Sequence, residues 1–140
     1  EGNSLFITAD QVLAHAVGDY ILQSHWMATE KTKRSLAAGI HAVTYTLPFL
    51  FLTQAPLALA FICGTHFLID RFRLARWVVW AKNGYLWRRD SVVPHLNLHL
   101  KPTATGYLDD VPSWLSVWLL IIADNILHVI LNGVALAWLV

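Results

Sequence analysis

The feature that most limits what this chain can fold into is the stretch 36–69, 34 residues without an Asp, Glu, Lys or Arg. As one helix it would run to roughly 51 Å, far beyond a hydrocarbon core of about 30 Å. The run therefore has to turn back on itself. Its natural corner is Thr53-Gln54-Ala55-Pro56, because proline opens a helix well but disfavours helical backbone at the residue before it. Two short apolar segments follow, about 36–53 and 56–70.

A soluble surface would need more charge than the chain supplies, since 56% of its 140 residues are hydrophobic and only 14% charged. The reading is an all-α integral membrane four-helix bundle, a single transmembrane domain over residues 1–140. The stretch 111–140 holds one charge, Asp124, and Pro112-Ser113 makes a helix start, which predicts a span at 113–138. The first segment, about 5–23, is less hydrophobic, but Leu5, Val12 and Ile21 alternate with polar positions on a helical period. It is expected to span with its polar stripe facing protein. The span at 56–70 is expected to continue to about residue 80 as an interfacial helix, leaving a cytoplasmic loop at 81–112.

Position gives the charges their meaning. A net charge of +1 provides no basic field for nucleic acid. Yet Lys31, Lys33 and Arg34 fall between spans 1 and 2, and Arg71, Arg73, Arg76, Lys82, Arg88, Arg89 and Lys101 between spans 3 and 4. All ten basic residues then share the cytoplasmic side, with both termini opposite. A single cysteine, Cys63, excludes an intrachain disulfide and a cysteine zinc cluster. The first twenty residues lack the pattern of a cleaved signal, being interrupted by Asp10, Gln11, His15 and Asp19.

Ionisable groups at bilayer depth are costly and face the bundle interior. His15 and Asp19, His66 and Asp70, and Asp124 and His128 each stand four apart, on one face of their helix, and His41 adds a lone imidazole. All seven fall in the cytoplasmic half by residue count. The set resembles the His/carboxylate inventory that helix bundles offer to one or two metals. A divalent metal is the expected cofactor, zinc among the candidates, with iron, manganese and nickel suited as well. A metal with an open position makes hydroxide at neutral pH, so metal-dependent hydrolysis of a membrane-associated substrate is the leading function. Asp19 or Asp70 would handle the proton, with Lys31 as a third catalytic candidate. Gln23, Lys31, Arg34 and the pair His95 and His99 are candidate substrate contacts. His95, Asn97, His99 and Lys101 share one face of an extended segment between Pro94 and Pro102. A proton or metal-ion relay through the same residues is the runner-up, and an accessory subunit whose polar pairs only lock helices together is the third. The expected partners are the lipid bilayer and a second copy or another membrane protein.

The segment Ala14-His15-Ala-Val-Gly18-Asp19-Tyr-Ile-Leu22-Gln23-Ser-His-Trp26-Met27-Ala28, followed by Lys31 and His41, resembles a family of small bacterial and phage inner-membrane proteins, domain of unknown function 3307. The resemblance implies inner-membrane topology and marks His15, Gly18, Asp19, Gln23, Lys31, His41 and Asp70 as polar positions of the family. His25 departs from the family pattern, which implies an acidic residue there. Gly18 is expected to let a second backbone or a ligand approach Asp19.

Overall fold

A computed structural model describes residues 6–83, 102–108 and 110–140. Every regular element among them is helical: α1 (Ala9–Ala16), a π-helical turn (Val17–Ile21), α2 (His25–Glu30), α3 (Ser35–Thr46), a 3-10 turn (Leu47–Phe51), α4 (Pro56–Phe72), α5 (Leu74–Lys82) and α6 (Ser113–Trp138). The all-α expectation holds. The chain falls into two compact units, Glu1–Arg73 with Ile126–Val140, and Leu74–Asn125.

In the first unit, local chemistry sets the element boundaries. The Thr8 hydroxyl accepts from the Gln11 N–H at 3.2 Å and opens α1, and Ser24 caps α2 by accepting from the Met27 N–H at 3.3 Å. Helix α3 tightens into the 3-10 turn where Pro48 enters, because proline lacks an N–H and its ring clashes with the carbonyl four residues back. The expected corner is present: Ala55 is extended, Pro56 begins α4, and the Ala55 N–H donates to the Thr53 hydroxyl at 3.0 Å.

Two segments differ from the sequence expectation. The first segment, expected to about residue 23, is α1 running directly into a wide π turn that ends at Ile21, and the separate short helix α2 begins after it. The helix expected to reach about residue 80 stops at Phe72, because Arg73 adopts left-handed backbone with φ 52 and ψ 50. A non-glycine residue takes that conformation at a cost, and no proline or glycine at this point announces it. Helix α6 has the expected bounds 113–138 and is the one helix among the described residues long and apolar enough to cross a membrane. Its 26 residues span about 39 Å. Helix α4 has 17 residues, about 26 Å, and the apolar stretch Ser35–Phe51 is also below that length criterion.

Helix α3 packs along α4 and also meets α2 and the π turn. The buried apolar positions are dominated by small residues: Ala14, Ala37, Ala38, Ala42, Ala58 and Ala135, with Tyr45, Phe49 and Ile62 filling the centre. Small residues let helix backbones approach closely. Large apolar side chains point the other way, among them Leu13, Leu36, Val43 and Leu57, and Phe51 at 93% exposure. Inside the same unit Gln11, His15, Asp19, His41, Thr53, His66, Asp70, His128 and Asn132 are buried. This unit is small and polar within and bulky and apolar without.

The second unit holds α5, which buries Ala75, Val79 and Trp80, and a turn over residues 102–108. Thr103 donates to the Tyr107 carbonyl at 2.6 Å and accepts from the Gly106 N–H at 3.1 Å. Gly106 has φ +80 and lies against the Arg76 carbonyl and Val79, so no side chain fits there. Of the expected 81–112 loop, His95, Asn97, His99 and Lys101 lie outside the described residues.

Candidate metal centre

The buried polar residues of the first unit recur at intervals of four, the spacing that stacks side chains on one helix face. Gln11, His15 and Asp19 run down α1 into the π turn; His41 and Tyr45 lie on α3, His66 and Asp70 on α4, His128 and Asn132 on α6. Gly18 decides how closely these faces meet. A Cβ there would stand 2.7 Å from Tyr45 Cδ2 and 2.8 Å from the Tyr45 carbonyl oxygen. Its absence lets the π turn seat on α3, and the expected close approach at this glycine is that of α3 itself. Asp19, the next residue, thereby reaches His41, one turn before Tyr45.

Four donors converge. His41 Nε2 lies 3.2 Å from Asp19 Oδ1, 3.2 Å from Asp70 Oδ2 and 2.9 Å from His66 Nε2. His66 Nε2 is 3.2 Å from Asp70 Oδ2 and 4.0 Å from Asp19 Oδ1. These four residues are buried, and each offers a ligand atom within 4.8 Å of all the others. A tetrahedral ion with bonds of about 2.0–2.1 Å sets its ligand atoms about 3.3–3.4 Å apart, and the distances of 2.9–4.0 Å straddle that value. Hydrogen bonding accounts for the crowding poorly. An imidazole Nε2 carries either one proton or one lone pair, whereas His41 Nε2 faces two carboxylates, a second imidazole and, at 3.4 Å, the Lys31 ammonium. The two imidazole nitrogens and two carboxylate oxygens suit a divalent transition metal.

Lys31 supplies the cluster's fixed cation. Its Nζ stands 2.7 Å from Asp70 Oδ2 and 3.6 Å from Asp19 Oδ1. With both carboxylates ionised and the imidazoles neutral, the five groups sum to one negative charge, which a further cation would offset. Arg71 secures the segment that carries Lys31: its Nη1 donates to the Thr32 carbonyl at 2.9 Å and its Nε to the Ser35 hydroxyl at 3.2 Å.

A second layer lies behind the donors. The Tyr45 ring stacks on His66 at 3.6 Å between centroids, and its hydroxyl stands 2.8 Å from His15 Nδ1 and accepts from Asn132 Nδ2 at 2.7 Å. His15 stacks on His128 at 5.6 Å, and His128 Nε2 lies 3.8 Å from Asp70 Oδ1. Gln11 Nε2 donates to the Val129 carbonyl at 2.6 Å. The Nδ1 atoms of His41 and His66 are buried without a hydrogen-bond partner among the described residues. On the Nδ1 side, therefore, packing and not a hydrogen bond holds these two rings.

Of the seven expected ligands, Asp19, His41, His66 and Asp70 come together, and His128 also offers a ligand atom within 4.8 Å of one from Asp19. His15 is set one layer back on Tyr45, His128 lies beside Asp70, and Asp124 is half-buried in the second unit. Lys31 is in the cluster. Arg34 instead pairs with Glu30, Nε to Oε2 at 3.1 Å, on the surface. Gln23 sits in the link before α2 with its Oε1 buried and without a hydrogen-bond partner among the described residues. His95 and His99 lie outside the described residues. Sequence reasoning missed Tyr45, Asn132, Gln11 and the bracing role of Arg71. The first three extend the same four-residue spacing from His41, His128 and His15, which is the signal that would have found them.

Residues 7–137 match the family model described as protein of unknown function (DUF3307). No curated protein and no solved structure matches the chain.

Proposed function

We propose, from the premise that the chain belongs to the DUF3307 family, that it is a membrane-embedded metalloprotein whose Asp19, His41, His66 and Asp70 hold one divalent ion. The observation that carries this reading is the convergence of four buried donors from three stretches of chain. The membrane assignment is supported by the inverted side-chain distribution of the first unit and by the length of α6. In the proposed topology the four apolar segments cross a bacterial inner membrane, the shorter ones with local thinning of the bilayer. The basic residues lie on the cytoplasmic side and both termini opposite.

The proposed activity is hydrolysis of an ester, amide or phosphoester presented at the membrane. A bound divalent ion supplies Lewis acidity and an activated water. The chain's own part is to fix the ion on two helices and the π turn, to exclude bulk water, and to offer a carboxylate oxygen for the proton. Asp70 suits that task, because Oδ2 faces the other donors while Oδ1 faces His128 at 3.8 Å. A proton or metal-ion relay is the second reading, favoured by the continuous run of polar groups from Asp70 through His128 and His15 to Tyr45.

Metal analysis of the purified full chain tests the first reading. One divalent ion per chain is expected, with His41→Ala and Asp70→Asn losing it; a wild-type protein without stoichiometric metal sinks the proposal. Hydrolysis that stops on chelation and returns with metal identifies the enzyme. Vesicle flux abolished by Tyr45→Phe, in the absence of any hydrolysis, identifies the relay.

A further inference from the structure

Within the cluster Lys31 has the greatest exposure, 16% of its side chain against 0% for His41, 1% for His66, 4% for Asp70 and 7% for Asp19. The way in therefore passes its ammonium. That ammonium lies over one face of the donor tetrahedron, 2.7 Å from Asp70 Oδ2, 3.4 Å from His41 Nε2 and 3.6 Å from Asp19 Oδ1. An ion placed among the donors takes over the carboxylate charge that Lys31 neutralises. It also sets two cations close together, an arrangement that an anion between them relieves.

The charge count says which anion. Two carboxylates and Lys31 sum to −1, and a divalent ion brings the total to +1. A singly charged oxyanion brings it to zero, and buried sites strongly favour neutrality. Lys33 and Arg34 follow Lys31 closely in the chain and share one carboxylate, that of Glu30, at 3.2 and 3.1 Å, so this stretch keeps a net positive charge beside Lys31. Such a stretch lies where the proposed spans meet headgroup phosphates.

We propose that the site takes a phosphodiester, with one of its two equivalent charged oxygens on the ion and the other on Lys31. The inference rests on the metal-centre reading and gives that site a ligand class. A phospholipid headgroup and a soluble phosphodiester share this chemistry, and the experiment separates them.

The full chain is loaded with Mn²⁺ and placed either in nanodiscs containing phosphatidylglycerol or in maltoside micelles with dimethyl phosphate, and ³¹P relaxation is measured. At least a tenfold enhancement over metal-free protein is expected. Enhancement in nanodiscs alone assigns the headgroup; enhancement in micelles as well assigns phosphodiesters generally. Lys31→Arg should keep the effect. Lys31→Met should abolish it while binding Mn²⁺ about tenfold more tightly, since the tethered cation no longer competes; a merely structural lysine would not move the two readouts in opposite directions. One bound Mn²⁺ per chain without ³¹P enhancement in either setting overturns this proposal and leaves the metal centre standing. Enhancement that survives in Lys31→Met, or a response from oleate carboxylate instead of phosphorus, overturns it too. A chain that binds neither Mn²⁺ nor zinc overturns both readings.

Discussion

The two polar layers of the first unit both contain buried histidines and behave differently. At the Tyr45 hydroxyl the close contacts are ones that a hydrogen bond explains: a phenol oxygen accepts from an amide at 2.7 Å and meets an imidazole at 2.8 Å. Around His41 one nitrogen faces four polar groups at 2.9–3.4 Å. The first arrangement satisfies its members pairwise, and the second has geometry only about a shared centre. A buried histidine is thus not informative by type; what separates a ligand from a structural ring is whether its neighbours exceed its hydrogen-bonding capacity.

The sharpest way to break this contrast is Asp70→Asn. Stoichiometric metal should be lost, and the metal-free protein should lose on the order of 3–5 kcal/mol, because Lys31 keeps a buried charge beside a weakened partner. Chemical denaturation with and without metal reads both effects. Tyr45→Phe is the opposite case: it removes the hydroxyl that meets His15 Nδ1 and accepts from the Asn132 amide and should cost about 1–3 kcal/mol while one metal ion per chain is retained. If it removes the metal as readily as Asp70→Asn does, the two layers are a single unit. Gly18→Ala should act on both, forcing the π turn off Tyr45 at a cost of about 1–3 kcal/mol and loosening metal binding through Asp19. A lowered melting temperature together with weaker metal affinity would show this, and unchanged affinity would mean Asp19 is not a ligand. The smallest effect belongs to Arg34→Ala, whose exposed pair with Glu30 should contribute less than about 1 kcal/mol and leave metal content untouched.

How much of this was legible follows from what spacing can encode. The pair His66 and Asp70 could be read directly, because α4 is unbroken across it and four residues return to one face. His15 and Asp19 have the same spacing, but the π turn begins between them and the two side chains serve different layers. The corner at Pro56 was legible from one residue's ring. The break at Arg73 was not, since arginine carries no local preference for left-handed backbone. Tyr45 and Asn132 were passed over because a phenol and an amide in apolar runs look like packing or belt residues. The expected 113–138 coincides with α6, whereas the expected 36–53 outruns α3, because apolar composition marks what avoids water and does not say where a helix tightens or stops.

The Arg71 brace has a consequence for how the site responds to its surroundings. Arg71 follows Asp70 directly and is fastened to Thr32 and Ser35 on either side of the segment that follows Lys31. The ammonium and the carboxylate are therefore held in register by the end of α4 as well as by their mutual attraction. An ion pair positioned in this way is set mechanically. Added salt, which loosens pairs that rely on Coulomb attraction across solvent, should leave the Lys31 and Asp70 contact where it is.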